Sequence, residues 1–130
     1  MYRAVTYDIE VTAEPEFLAD ESDPKQGRWF WAYTISIANL GRDSVQLISR
    51  HWRITDGHGR VHEVKGTGVV GEQPVIKPGE TYRYTSGCPL ETPQGIMVGD
   101  YQMRSAAGEM ISVAIPAFSL DSQWINRVLH

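Results

Sequence analysis

The stretch RWFWAYTISIANL constrains this chain more than any other. Trp29, Trp31, Tyr33, Ile35 and Ile37 take alternate positions, with Phe30, Ala32, Thr34, Ser36 and Ala38 between them. A two-residue period sends the two sets to opposite faces of an extended strand, and aromatic and β-branched residues at this density favour a pleated sheet. The same period recurs along the chain. YRAVTYDIEVT places Val5, Tyr7, Ile9 and Val11 on one face and Thr6, Asp8 and Glu10 on the other, which reads as a single strand with one wet side. SVQLISRHWRIT carries Trp52 and Ile54 on one face, and RVHEVK follows it. QPVIKPGETYRYTSG, IMVGDYQMR (Met97, Tyr101, Met103) and EMISVAIPAFSL (Ile111, Val113, Ile115) alternate as well.

Turn chemistry separates these runs at Asn39–Asp43, Asp56–Gly59, Lys77–Gly79 and Ala106–Gly108. AEPEFLADESDPKQGR reads as a solvated acidic loop, and CPLETPQG as a proline-marked loop. The tail DSQWINRVLH reads as a short helical turn or an extended arm. No segment carries an amphipathic helix of three turns. About seven strands with a turn every 8–14 residues predict an all-β fold. The leading expectation is an immunoglobulin or fibronectin type III-like β-sandwich, and a barrel is the alternative. At 130 residues the chain reads as a single domain over 1–130, large enough to bury a core without disulfides.

Composition narrows the function classes. The net charge is −4 and the basic residues are scattered, which argues against nucleic acid as the main partner. Cys88 is the only cysteine, so no internal disulfide forms, as suits a reducing compartment. The start MYRAVTYDIEV lacks the apolar run of a signal peptide, and no stretch approaches the roughly 18 apolar residues of a membrane helix. A cytoplasmic protein without membrane insertion is the expectation.

The segment KGTGVVGEQP contains a G-x-G-x-x-G at Gly66, Gly68 and Gly71. In dinucleotide-binding folds this spacing follows a strand and opens a helix whose N–H groups receive a pyrophosphate. Here the strand is present, but Pro74, Pro78 and Gly79 close off the helix, and Glu91 sits in a proline-flanked loop. No P-loop sequence occurs. The glycines therefore read as turns or bulges that need positive φ or close backbone approach. A second reading keeps an anion loop of backbone N–H groups around Gly66, Gly68 and Gly71, with Lys65 or Lys77 beside it.

Other chemistry is sparse. With Gly57-His58 as a two-residue hairpin tip, Arg53 opposes His62 and His51 opposes Val64. All four side chains then share a face, Glu63 points to the other, and His51 and His62 become diagonal neighbours. Two histidines make a weak metal candidate that needs a carboxylate, and Arg53 would repel a cation. Cys88 has no evident base and reads as a small buried residue. The cluster Asp20-Glu21-Ser22-Asp23 lacks the glycine and spacing of a calcium loop. Nothing constrains a Ser-His-Asp triad, so no catalytic residue and no cofactor are assigned. Trp29, Trp31, Tyr33 and Trp52 are the expected core. Phe30, Tyr82 and Tyr84 are candidates for a partly exposed aromatic, protein-binding face.

The run SRHWRITDGHGRVHEVKGTGVVGEQPVIKPGETYRYTSGCPLETPQGIMVGDYQM, with FWAYTISIANLG before it and VAIPAFSL after it, closely resembles the ApaG family from about Tyr2 to Arg127. The resemblance implies a fibronectin type III-like sandwich and a link by name to cobalt and magnesium efflux or resistance. Bacterial members are encoded near a diadenosine tetraphosphate hydrolase. Related eukaryotic domains look like protein-interaction modules. The glycine motif is the family's noted feature, and no catalytic residues carry over. Two functions follow as expectations. One is a non-enzymatic module with an unidentified protein partner, or a homodimer through an edge strand. The other is a nucleotide- or pyrophosphate-binding protein using the glycine loop.

Overall fold

Alternation becomes nine strands in the computed structural model of the chain, which describes residues 2–122. They are β1 (Tyr2–Thr6), β2 (Ile9–Phe17), β3 (Trp29–Asn39), β4 (Val45–Asp56), β5 (Val61–Thr67), β6 (Val75–Ile76), β7 (Thr81–Leu90), β8 (Gln94–Arg104) and β9 (Met110–Asp121). One antiparallel sheet runs β1-β2-β3-β7. The other runs β5-β4-β8-β9, with β6 paired to the start of β4. The two sheets pack face to face as a β-sandwich, as the alternation predicts.

The strand read as central supplies the core. β3 alternates buried and half-buried residues along its whole length. Trp31, Ile35 and Ile37 meet Trp52, Tyr101, Met103 and Phe118 of the opposite sheet, all at most 2% exposed. Tyr33, Trp52 and Phe118 form a three-ring cluster with centroids 5.4–6.0 Å apart. Such contacts contribute about 0.5–1.5 kcal/mol per pair beyond area burial.

Several local expectations are corrected. YRAVTYDIEVT is a hairpin, not one strand: Thr6 pairs with Ile9, and both Tyr7 and Asp8 adopt positive φ. This is the backbone of a primed two-residue turn, which usually announces itself by Asn-Gly or Asp-Gly; Tyr-Asp carries no such signal. Val5 and Tyr7 are therefore exposed, while Ile9 and Val11 are buried. β2 continues through Pro15 to Phe17 and takes up the first part of the supposed acidic loop, which then makes two short 3-10 turns. β7 likewise runs through Pro89 to Leu90. It is an edge strand, where a missing N–H costs no ladder bond. Of the tail, residues 123–130 lie outside the described residues, with His130 among them.

The two flanks of the sandwich differ. On one, β1 and β2 lie against β9: the Ala114 N–H donates to the Thr6 hydroxyl at 3.2 Å, and the Tyr2 ring sits 6.0 Å from Phe118. On the other, the free edges of β5 and β7 face each other across a cleft.

Candidate functional site

The cleft on the β5/β7 flank has a volume of about 680 Å³ and is walled by both sheets. Trp29 and Tyr33 of β3 and Ser86–Leu90 of β7 form one wall. Arg50, Trp52 and Ile54 of β4, with His62 and Val64 of β5, form the other. Every residue of β5 except Gly66 is exposed. This strand leaves the cleft open rather than capping the core.

Arg50 reaches this interior wall because β4 carries a bulge. The register with β8 shifts between Leu47 and Ser49, and an extra residue in one strand reverses which positions face inward. Val45 and Leu47 point into the core before the bulge, and Trp52 and Ile54 after it. Arg50 falls in the second set. Its Nη1 donates to the carbonyls of Thr67 at 3.2 Å and Gly68 at 2.8 Å. The guanidinium lies over Gly66, where a Cβ would come within 2.7–2.8 Å of its terminal atoms. Among the described residues the guanidinium has no carboxylate partner, and Nε and Nη2 have no hydrogen-bond acceptor. Two residues along the same face, the buried Trp52 indole N–H is also without a partner among them. Tyr33, Tyr84 and Tyr101 cluster nearby, and the Tyr84 and Tyr101 hydroxyls are hydrogen-bonded to each other. Burial raises the pKa of all three phenols, so they stay neutral.

One end of the cleft is set by Asp56, whose side chain is 2% exposed. It accepts from the backbone N–H groups of His58 and Arg60 at 2.9 and 3.1 Å, and from Arg60 Nε at 3.0 Å, with His62 Nε2 3.4 Å away. Burial alone would raise this carboxyl, but the Arg60 and His58 N–H donors, together with His62 and the Arg60 charge, outweigh it and hold the pKa at about 2. Asp56 is therefore a fixed anion that ties off the β4–β5 loop. Cys88 lines the opposite wall, and burial pushes its thiol up to about 11, the reverse of what a nucleophilic thiol needs.

The same loop corrects the histidine pairing. His62 pairs with Ile54, Arg53 with Glu63, and His51 with Lys65. Gly57, His58 and Gly59 make a three-residue connection, closed by the Asp56 N–H to Arg60 carbonyl bond with Gly59 at positive φ, in place of the expected two-residue tip. Partners across a ladder share a face. His62 is thus on the cleft side with Trp52 and Ile54, while His51 lies on the outer face, its Nε2 3.8 Å from Glu63 Oε2. The expected His51–His62 neighbours are on opposite faces, and Glu63 sides with His51. Among the described residues no three His, Cys, Asp or Glu side chains are grouped to hold a metal ion.

The glycines of the G-x-G-x-x-G have separate tasks. Gly66 makes room for Arg50. Gly68 has φ +65°, and a Cβ there would lie 2.3 Å from the Glu72 carbonyl oxygen. Val70 and Gly71 both have positive φ and form a tight turn in which Val69 and Glu72 exchange backbone hydrogen bonds. The Gly68 N–H donates to the Ile48 carbonyl. The N–H groups of Gly68, Val69 and Glu72 are therefore satisfied within the chain. Lys65 is exposed on the face opposite Gly66, and Lys77 is exposed beyond β6. Of the remaining aromatic candidates, Tyr84 is buried, Tyr82 is half-buried and donates to Glu72, and Phe30 is half-buried beneath Gly87.

The ApaG domain family model matches residues 19–105, which include both walls of the cleft. The chain belongs to the ApaG domain family. It is 61% identical to Protein ApaG of Bradyrhizobium sp. (strain ORS 278) over 130 residues, the whole of both chains. It is 59% identical to Protein ApaG of Azorhizobium caulinodans over the same span. A crystal structure of a Bordetella pertussis protein described as ApaA, 49% identical, superposes with a TM-score of 0.86 over 90% of this chain and 95% of that one. The C-terminal domain of wzt, 9% identical with a TM-score of 0.56 over 92% of this chain and 76% of that one, shares the fold alone. ApaG membership thus agrees with the sandwich built up strand by strand.

Proposed function

We propose that this ApaG chain is a non-enzymatic binding module whose binding site is the cleft between the free edges of β5 and β7. The observation that carries this reading is the 680 Å³ cleft walled by both sheets, within the roughly 300–1,000 Å³ range of ligand pockets. The groups lining it suit recognition better than chemistry. The thiol of Cys88 is held protonated, Asp56 is committed to its own loop, and the tyrosines are neutral. The protein acts by occupying or presenting this cleft to a partner, in the manner the family resemblance implies. The cobalt and magnesium association is then indirect and works through such a partner. His51 and His62 are not assembled into a metal pair, and among the described residues no helix is long and apolar enough to cross a membrane.

A small-fragment screen read by amide NMR tests this reading. Hits are expected to move the signals of 50–54, 62–64 and 86–90. If hits instead cluster at the turn 68–72, or if nucleotides move that turn alone, the glycine loop is the site and the cleft reading fails.

A further inference from the structure

Resting on the cleft as the binding site, we infer that its ligand is a monoanionic carboxylate on an apolar, ring-sized body, with the carboxylate held by Arg50. Arg50 is a half-buried charge on the inner wall of the sandwich, and a guanidinium in such a setting gains from a charged partner. Arg50 is held only by two backbone carbonyls through Nη1. Its Nε–H and Nη2–H groups, which form the fork that engages a carboxylate bidentately, have no acceptor among the described residues.

The surroundings select the rest of the ligand. Trp29, Tyr33, Trp52, Leu90 and Met97 give the cleft an apolar, largely aromatic wall, suited to a flat hydrocarbon body. The ionised side chains along it are Glu21, Asp56 and Glu91 against Arg28 and Arg50. Arg60 beside them bridges Asp56 at 3.0 Å and Glu91 at 3.6 Å, so a polyphosphate would bring several charges past Glu21 and an already paired Glu91 at the mouth, whereas a carboxylate brings one. One negative charge placed at Arg50 meets a guanidinium that no carboxylate pairs among the described residues. The glycine motif takes on a meaning here as well. Gly66 admits the guanidinium, and the Gly68 carbonyl fixes it.

The test is an NMR titration of the protein with 2-naphthoate, its neutral amide 2-naphthamide, and 2-naphthyl phosphate, on wild type, Arg50→Met, Arg50→Lys and Val64→Trp. Naphthoate is expected to shift the signals of 50–54, 62–64 and 86–90, and to bind at least tenfold more tightly than naphthamide. Arg50→Met should bring the two ligands level, Arg50→Lys should restore part of the difference, and Val64→Trp, which fills the cleft from β5, should remove both. Equal binding of acid and amide in the wild-type cleft overturns the role of Arg50 but leaves the cleft as a binding site. Tenfold tighter binding of the phosphate overturns the carboxylate assignment. Shifts outside the cleft, or none with any ligand, overturn both the inference and the reading beneath it. The acid-to-amide ratio on wild type decides the matter even if Arg50→Met fails to fold.

Discussion

The two flanks of the sandwich are built from the same kind of strand and come to opposite ends. Where β1 and β2 meet β9, Ile9, Val11, Val113 and Ile115 are at most 2% exposed and a cross-sheet hydrogen bond joins Thr6 to Ala114. Where β5 faces β7, the strands part and the inner wall carries Arg50 and His62 in place of aliphatic groups. The sealed flank is explained by burial alone, since apolar area removed from water contributes about 25 cal/mol per Å². The open flank is not. Its exposed Val64, and Arg50 held only by two backbone carbonyls, add little to a core that is complete without them, as the proposed binding cleft requires.

The largest effect that could break this contrast is on stability. Phe118→Ala removes the ring that touches Tyr2, Tyr33 and Trp52, and should cost about 3–5 kcal/mol in chemical denaturation. Val64→Ala on the open flank should change stability by less than about 0.5 kcal/mol. Comparable losses in the two variants would mean that β5 is as much a part of the core as β9.

The glycine turn gives a finer comparison. Gly68→Ala meets both a positive φ and the Glu72 carbonyl oxygen, and should cost about 2–3 kcal/mol. Gly71→Ala meets open space and pays only for its left-handed φ of +82°, about 1–2 kcal/mol. Equal costs would show that the turn relaxes and does not hold the Gly68 carbonyl against Arg50.

A smaller, pH-dependent effect belongs to the cleft end. The Asp56 carboxyl is held at about 2 in the folded chain, against about 3.9 in an unfolded one. A depressed folded pKa adds stability that is complete above the unfolded value and fades as pH falls through the folded one. The denaturation midpoint should therefore drop between about pH 4 and pH 2, and Asp56→Asn should flatten that drop. A wild-type profile no steeper than that of Asp56→Asn would remove Asp56 as the anion that ties off the β4–β5 loop.

The sandwich and most of its core are legible in the sequence, because strict alternation in Trp29–Ile37 and Val113–Ile115 leaves few other ways to bury those side chains. The first hairpin is hidden because Tyr7-Asp8 takes a conformation that its residue types do not advertise. The histidine pairing slips because a one-residue difference in loop length sends every side chain of a strand to the other face. Arg50 goes unnoticed for a related reason: in SRHWR it looks like one polar residue among several. A signal is nonetheless present. Leu47 and Trp52 are both large and apolar but sit at positions of opposite parity in one strand. Both reach the core only if the strand carries an extra residue between them, and that bulge is what turns Arg50 inward. Ligand identity is not legible in this way, because it depends on which charges remain unpaired after the sheets pack.

Amide hydrogen exchange, with and without 2-naphthoate, tests the contrast between the flanks most directly. The free-edge amides of β5 and of β7 at 86–88 and 90 should exchange faster than those of β9 at 113–115, 117 and 118, and should slow on adding the carboxylate while β9 stays unchanged. Equal protection of β5 and β9 in the free protein, or ligand-induced protection confined to the turn 68–72, would contradict it.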